Sequence, residues 1–214
     1  MSYSEVDICN LALTRIGHGQ IASLGEGSKA GDLCTLHYPM CRDSLFRAHP
    51  WNFTIRREAL AASADYTPAF EFDYYFPLPT DCIKVIRTDF EAGGSSSTAV
   101  YGFPGMSGYV NDAVPYRLEN HSVLGRVIAC SESTLEIEYI AKVTDPAQFD
   151  ELFVDLLAQR LAAEICVAFT DTQSLAKQMW EVYQSKLVEA RTIDAQEGSA
   201  REIVDLSPWL QARV

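Results

Sequence analysis

Hydrophobic positions recur with two different periods along this chain. They fall three and four residues apart up to about residue 50, alternate from about 51 to 143, and return to helical spacing from about 144 to 197. The pattern predicts an α+β protein. Residues 1–50 and 144–197 form a helical body of about four helices, ending in a long antiparallel pair, and residues 51–143 form an inserted antiparallel β-sandwich or small barrel.

Ser4 and Asp7 are spaced as a capping box with Asp in place of Glu, and Val6, Cys9, Leu13 and Ile16 repeat behind them, so a first helix is expected from Glu5 to Ile16 with its stop at Gly17. GHGQIASLGEGSKAG follows, with five glycines in fifteen residues. Its Ser28 precedes Lys29, whereas a phosphate-binding Walker loop needs Gly-Lys-Ser/Thr after a strand, so a mobile connection is expected instead. The second helix runs from Ser28 to His49-Pro50, with apolar groups at Leu33, Leu36, Met40, Leu45 and Phe46. Pro39 lies inside it and removes the bond to the Thr35 carbonyl, so a kink is expected there; Pro50 ends the helix because it disfavours helical backbone in the residue before it.

Six short runs of β-formers occupy the middle third: Phe53 to Leu60, FDYYFPLP, CIKVIRTDF, PYRLE, VLGRVIA and TLEIEYIA. Phe72, Tyr74 and Phe76 share one face; Leu135, Ile137 and Tyr139 share another, with Glu136 and Glu138 turned away from it. A flexible loop over 90–115 carries Tyr101, Phe103, Met106 and Tyr109 among glycines, which suits a contact arm ordered by a partner.

Thr144-Asp145-Pro146 is expected to start the third helix, whose wide apolar stripe comprises Phe149, Leu152, Phe153, Leu156, Leu157 and Leu161. Arg160 and Glu164 project from that stripe one turn apart, either as a partly solvated pair at its edge or as a device that sets register against another helix or a neighbouring subunit. In the second case Arg160→Met would disturb assembly more than monomer folding. Asp171 or Thr172 is expected to cap a fourth helix of about 24 residues with Leu175, Met179, Tyr183, Leu187, Ala190 and Ile193 on one side. Beyond Gly198 the pattern breaks into an apolar tail, 198–214, with Leu206, Trp209, Leu210 and Val214; it either packs on its own body or docks on another chain, with Trp209 as anchor.

A net charge of -12 changes the picture of partners, because gripping nucleic acid depends on Lys and Arg displacing counterions. A surface past which DNA slides without sticking suits such a chain. The N-terminus lacks the basic and apolar regions of a signal peptide, no run is long enough to span a bilayer, and the six scattered cysteines are expected reduced and buried, which together suggest synthesis in a cytoplasm. Cys34, His37 and Cys41 fall on one helical face and could supply three zinc ligands; a packed face is preferred, since zinc sites normally draw on loops or two elements. No local signature for nucleophilic catalysis occurs, and the four histidines lack metal spacing, so neither an enzyme nor a bound cofactor is expected.

The order of ICNLALTRIG, LFRAHPWNFTIRREAL, FPLPTDCIKVIR and the closing helix pair resembles the tail tubular protein A family of short-tailed phages, over the first helix to about Arg87 and over 145–196. The resemblance implies a virion protein made in the host cytoplasm, a head-to-tail connector forming a ring, expected dodecameric, between the portal protein and the tail nozzle, with tail fibres or spikes as further neighbours. It implies that genomic DNA passes the lumen without specific binding and that no membrane is involved. The tail around Trp209 and the loop from Tyr101 to Tyr109 are then the expected contact sites. Two alternatives stand beside it: a small zinc or thiol hydrolase on Cys34, His37 and Cys41, and a free-standing sandwich that binds a peptide or sugar through its aromatic loop.

Overall fold

A computed structural model of the chain describes residues 3–89, 115–170 and 173–197. Over these residues it is an α+β fold with four helices, α1 (Glu5–Arg15), α2 (Lys29–Ala48), α3 (Glu151–Thr170) and α4 (Gln173–Gln196). Between α2 and α3 lie six strands, β1 (Ile55–Leu60), β2 (Tyr74–Pro77), β3 (Cys82–Asp89), β4 (Tyr116–His121), β5 (Gly125–Cys130) and β6 (Leu135–Ala141). The six strands coincide with the six β-forming runs of the sequence. They build two antiparallel three-stranded sheets, in the orders β1-β6-β3 and β2-β5-β4.

The structure has three layers. One face of β6 points Leu135, Ile137, Tyr139 and Ala141 at Phe76, Ile128 and Cys130 of the second sheet, which makes the sandwich core. Its other face turns Ile140 toward the helices, where Phe53, Ile83 and Ile86 join it against the helical core. Strand alternation thus lets one sheet serve two cores. Glu138, on the helix-facing side but beyond the helices, is only 13% exposed and bonds Arg87 at 2.6 Å, so it is paired rather than free in solvent.

The helices pack around α3. Phe153, Leu156, Leu157, Ala158, Leu161, Ala162, Ile165 and Cys166 are all fully buried, and α1, α2 and α4 each lie against this helix. A helix apolar nearly all round must sit inside. Contacts of Asp155 with Lys186, Gln159 with Met179 and Arg160 with Tyr183 run in opposite directions along α3 and α4, giving the expected antiparallel hairpin.

Local chemistry explains the ends. Ser4 and Asp7 form the reciprocal capping box, and Gly17, at φ +75°, supplies the left-handed residue that closes α1. Gly125, at φ +73°, plays the matching part in the three-residue β4–β5 hairpin. Three expectations need correction. The 17–28 connection is pinned: Asn10 exchanges hydrogen bonds with both backbone groups of Ile21 (2.8 and 3.0 Å), and Glu26 accepts from the Ala22 amide at 2.8 Å. The third helix starts at Glu151 because the Asp150 carboxylate accepts from the Leu152 amide at 2.8 Å, while Asp145 caps only a short 3-10 turn, Pro146–Gln148. The buried face of α2 is Cys34, Tyr38, Cys41, Leu45 and Phe46, leaving Leu36 and Met40 exposed at 60% and 64%. Asp171 and Thr172, expected to cap α4, fall outside the described residues.

Candidate functional site

Three polar clusters tie the helical body together, centred on Arg160, Asp194 and Asp155. The first is centred on Arg160. Its guanidinium lies 4.6 Å from the Trp180 ring centroid and 5.2 Å from that of Tyr183, bonds Glu164 at 3.0 Å and reaches the Tyr183 hydroxyl at 3.4 Å. Hydrogen bonds and the neighbouring carboxylate hold the Arg160 charge on despite its burial. The Cys41 thiol of α2 is pushed up to about 12, by burial first and then by Glu164. The pair lies against α4 of the same chain with its side chains 24% and 32% exposed, so it is a partly solvated pair that also meets another helix. Lying against both aromatic rings gives Arg160 a part in the monomer's own packing.

The second cluster is built by His49-Pro50-Trp51-Asn52. Pro50 turns the chain out of α2, and Trp51 drops into the core, donating from its indole nitrogen to the Leu45 carbonyl at 3.0 Å. That leaves His49 and Asn52 facing the last turns of α4. His49 Nε2 lies 2.9 Å from Asp194 Oδ2, the Asn52 amide donates to Oδ1 at 3.1 Å, and Asn52 Nδ2 donates to the Asp194 carbonyl at 2.7 Å. Arg191 donates back to the Ala48 carbonyl at 2.9 Å. The arrangement fixes the point from which the chain leaves α4.

Asp155 ties three helices, pairing with Arg15 of α1 and Lys186 of α4. Burial opposes its charge, but the hydrogen bond from Lys186 and the positive charge of Arg15 outweigh that and hold the carboxyl below the usual carboxylate value. The folded state then binds this proton less readily than the unfolded chain. Its stabilisation is present above the unfolded value, near pH 4, and is lost as pH falls through the lower folded value. Asp155→Asn is expected to flatten the fall in melting temperature below about pH 4. Melting curves of both proteins between neutral and strongly acidic pH check this; parallel acid limbs would remove Asp155 as a cause.

On the sheet, Arg57, Arg87, Glu136 and Glu138 line an open depression of about 300 Å³. Glu138 is shared by both arginines, at 2.6 Å to Arg87 and 3.6 Å to Arg57, so its charge is already answered. Nearby on the opposite face, Tyr139 donates to Glu58 and Asp81, both at 3.3 Å, and burial followed by those two carboxylates pushes its hydroxyl up to about 12.

Cys34, His37 and Cys41 do not converge. Cys34 meets the Cys9 thiol, a contact that together with burial pushes Cys9 up, and Cys41 meets Arg160. All six cysteines are free and buried. Among the described residues no group of three or more His, Cys, Asp or Glu side chains is arranged to hold a metal ion, and no helix is long and apolar enough to cross a membrane. The expected contact residues Tyr101, Phe103, Met106 and Tyr109, and the tail residues Leu206, Trp209, Leu210 and Val214, lie outside the described residues. Asp194 was missed by sequence reasoning; its polar position near the end of an amphipathic helix was the one available cue. A scan against protein-family models and a search of curated proteins both return no match.

Proposed function

We propose that this chain is a structural virion protein, the subunit of a head-to-tail connector that forms a ring, expected dodecameric, between portal and tail nozzle, with DNA passing its lumen. The observation that carries the reading is apolar side chains left exposed on two helices of the body. Leu36 and Met40, one turn apart on α2, and Val188 on α4 at 65% exposure offer apolar contact area that the chain's own core leaves unused. Isolated exposed apolar residues are ordinary, but a same-face pair on a helix with a filled core suits contact with a neighbouring subunit. The net charge of -12 suits a channel wall that repels phosphate. The polar clusters at Arg160, Asp194 and Asp155 are engaged in holding helices together, which favours a structural over a catalytic role.

In this reading the segment after α4 docks on the portal with Trp209 as anchor, starting from a root held by His49 and Asn52. Mass photometry of the protein mixed with its portal, followed by cryo-electron microscopy, tests it. A ring seated on the portal, lost on truncation at Gly198, is the expected result. A protein that ignores the portal at every ratio would end the connector reading.

A further inference from the structure

We propose that β4 is a self-pairing edge, through which two copies of this chain join their second sheets into one continuous six-stranded sheet. Among the described residues β4 pairs only with β5, so every second N–H and C=O along Tyr116–His121 points away from its one partner. The register with β5 sets Tyr116 opposite Cys130 and Leu118 opposite Ile128, which places both on the sandwich-facing side of the sheet. Ile128, Cys130 and Phe76 on that side are fully buried, whereas Tyr116 and Leu118 are exposed at 41% and 49%. The inner face of the edge strand therefore extends past its cover.

Charge selects a second copy as the occupant and also selects its register. In an antiparallel pair related by a two-fold axis normal to the sheet, residues directly opposite each other must share a face. Centring the axis on Arg117 sets that arginine against itself, and centring it on Glu119 sets two carboxylates together. Centring it on Leu118 sets Arg117 opposite Glu119 twice, Leu118 against Leu118, and Tyr116 against Asn120. Only this register places opposite charges across the seam, and it gives Leu118 an apolar neighbour. Among the described residues Arg117 pairs only at long range, with Glu71 at 3.7 Å and Glu119 at 4.0 Å.

Sedimentation velocity of the free protein should show a monomer–dimer equilibrium. Arg117→Glu, which sets carboxylates against Glu119 on both sides of the axis, should weaken it by about tenfold or more. The double exchange Arg117→Glu with Glu119→Arg should restore it. Leu118→Cys should give a symmetric disulfide-linked dimer under oxygen and copper phenanthroline, while the wild-type chain, with its six buried thiols, should not. A wild-type protein that stays monomeric overturns the proposal. So does a dimer that tolerates Arg117→Glu and fails to cross-link. This inference does not rest on the connector reading: the two-fold pair is a state of the free protein that a polar ring would have to open, so a free protein that stays monomeric would remove only the pairing, and a β4 dimer that ignores the portal would remove only the connector.

Discussion

Phe153→Ala is expected to lower the unfolding free energy by about 3–5 kcal/mol. Phe153 is fully buried at the meeting point of five aromatic rings. It stacks on Phe46 at 5.1 Å and meets Phe149 and Phe53 edge-on, both at 5.1 Å, and Trp51 edge-on at 5.3 Å. Those partners come from α2, from the turn after it and from the approach to α3. Removing the ring opens a cavity that rigid aromatic neighbours cannot close, and it also loosens the seam where β1 enters the sheet. Urea unfolding followed by tryptophan fluorescence measures the loss, with the slope expected unchanged because the surface exposed on unfolding is nearly the same. A loss below about 1 kcal/mol would mean that the cluster repacks, contrary to the rigidity argued here.

Asp194→Ala is expected to cost about 2–3 kcal/mol, because it leaves the His49 ring nitrogen and the Asn52 amide without their acceptor in a site where the carboxylate is only 12% exposed. Asp194→Asn keeps an oxygen for the Asn52 amide and should cost roughly half as much. The damage should be local. Hydrogen exchange over the last two turns of α4 should accelerate while the amides of α3 keep their protection, since the latch holds only an end and the α3–α4 seam keeps its buried apolar core and its own contacts at Asp155, Gln159 and Arg160. Uniform acceleration across both helices would show instead that Asp194 stabilises the whole body. On the connector reading the same variant should weaken portal docking, because the root of the C-terminal segment is no longer fixed.

Much of the secondary structure was legible from short-range rules. Six strands follow from alternation between turn residues, the start of α1 from Ser4 and Asp7, and the end of α2 from His49-Pro50. The antiparallel α3–α4 pair follows from two adjacent stripes of similar length. Each of these depends on neighbours within one turn or one strand, so the chain carries the answer locally. The Asp145-Pro146 start misled because two capping aspartates stand five residues apart, and the one that begins the long helix is Asp150.

Position in space was not legible. The sequence shows Leu36 and Met40 among the apolar groups of the second helix, but in the structure α3 is the centre, and α2 buries Cys34, Tyr38 and Cys41 and leaves those two exposed. Small and amphipathic residues are buried there because α1 and α3 approach on that side, and a periodicity of 3.6 does not say which side a neighbour takes. The glycine-rich 17–28 segment reads as mobile by composition, yet Asn10 and Glu26 hold it through side-chain bonds to its backbone. In the sequence Arg160 reads as a solvated edge or as a register device, and nothing in the sequence shows that Trp180 and Tyr183 of the next helix lie against it.

By itself the sequence determined the class of fold, the succession of ten helices and strands, the reduced state expected of its cysteines and the acidic field of the whole chain. Tertiary structure decided which faces are filled and which polar groups meet, as with His49 and Asp194, 145 residues apart. Element type comes from local sterics and periodicity, whereas burial and long-range pairing depend on how separate faces compete for the same limited core.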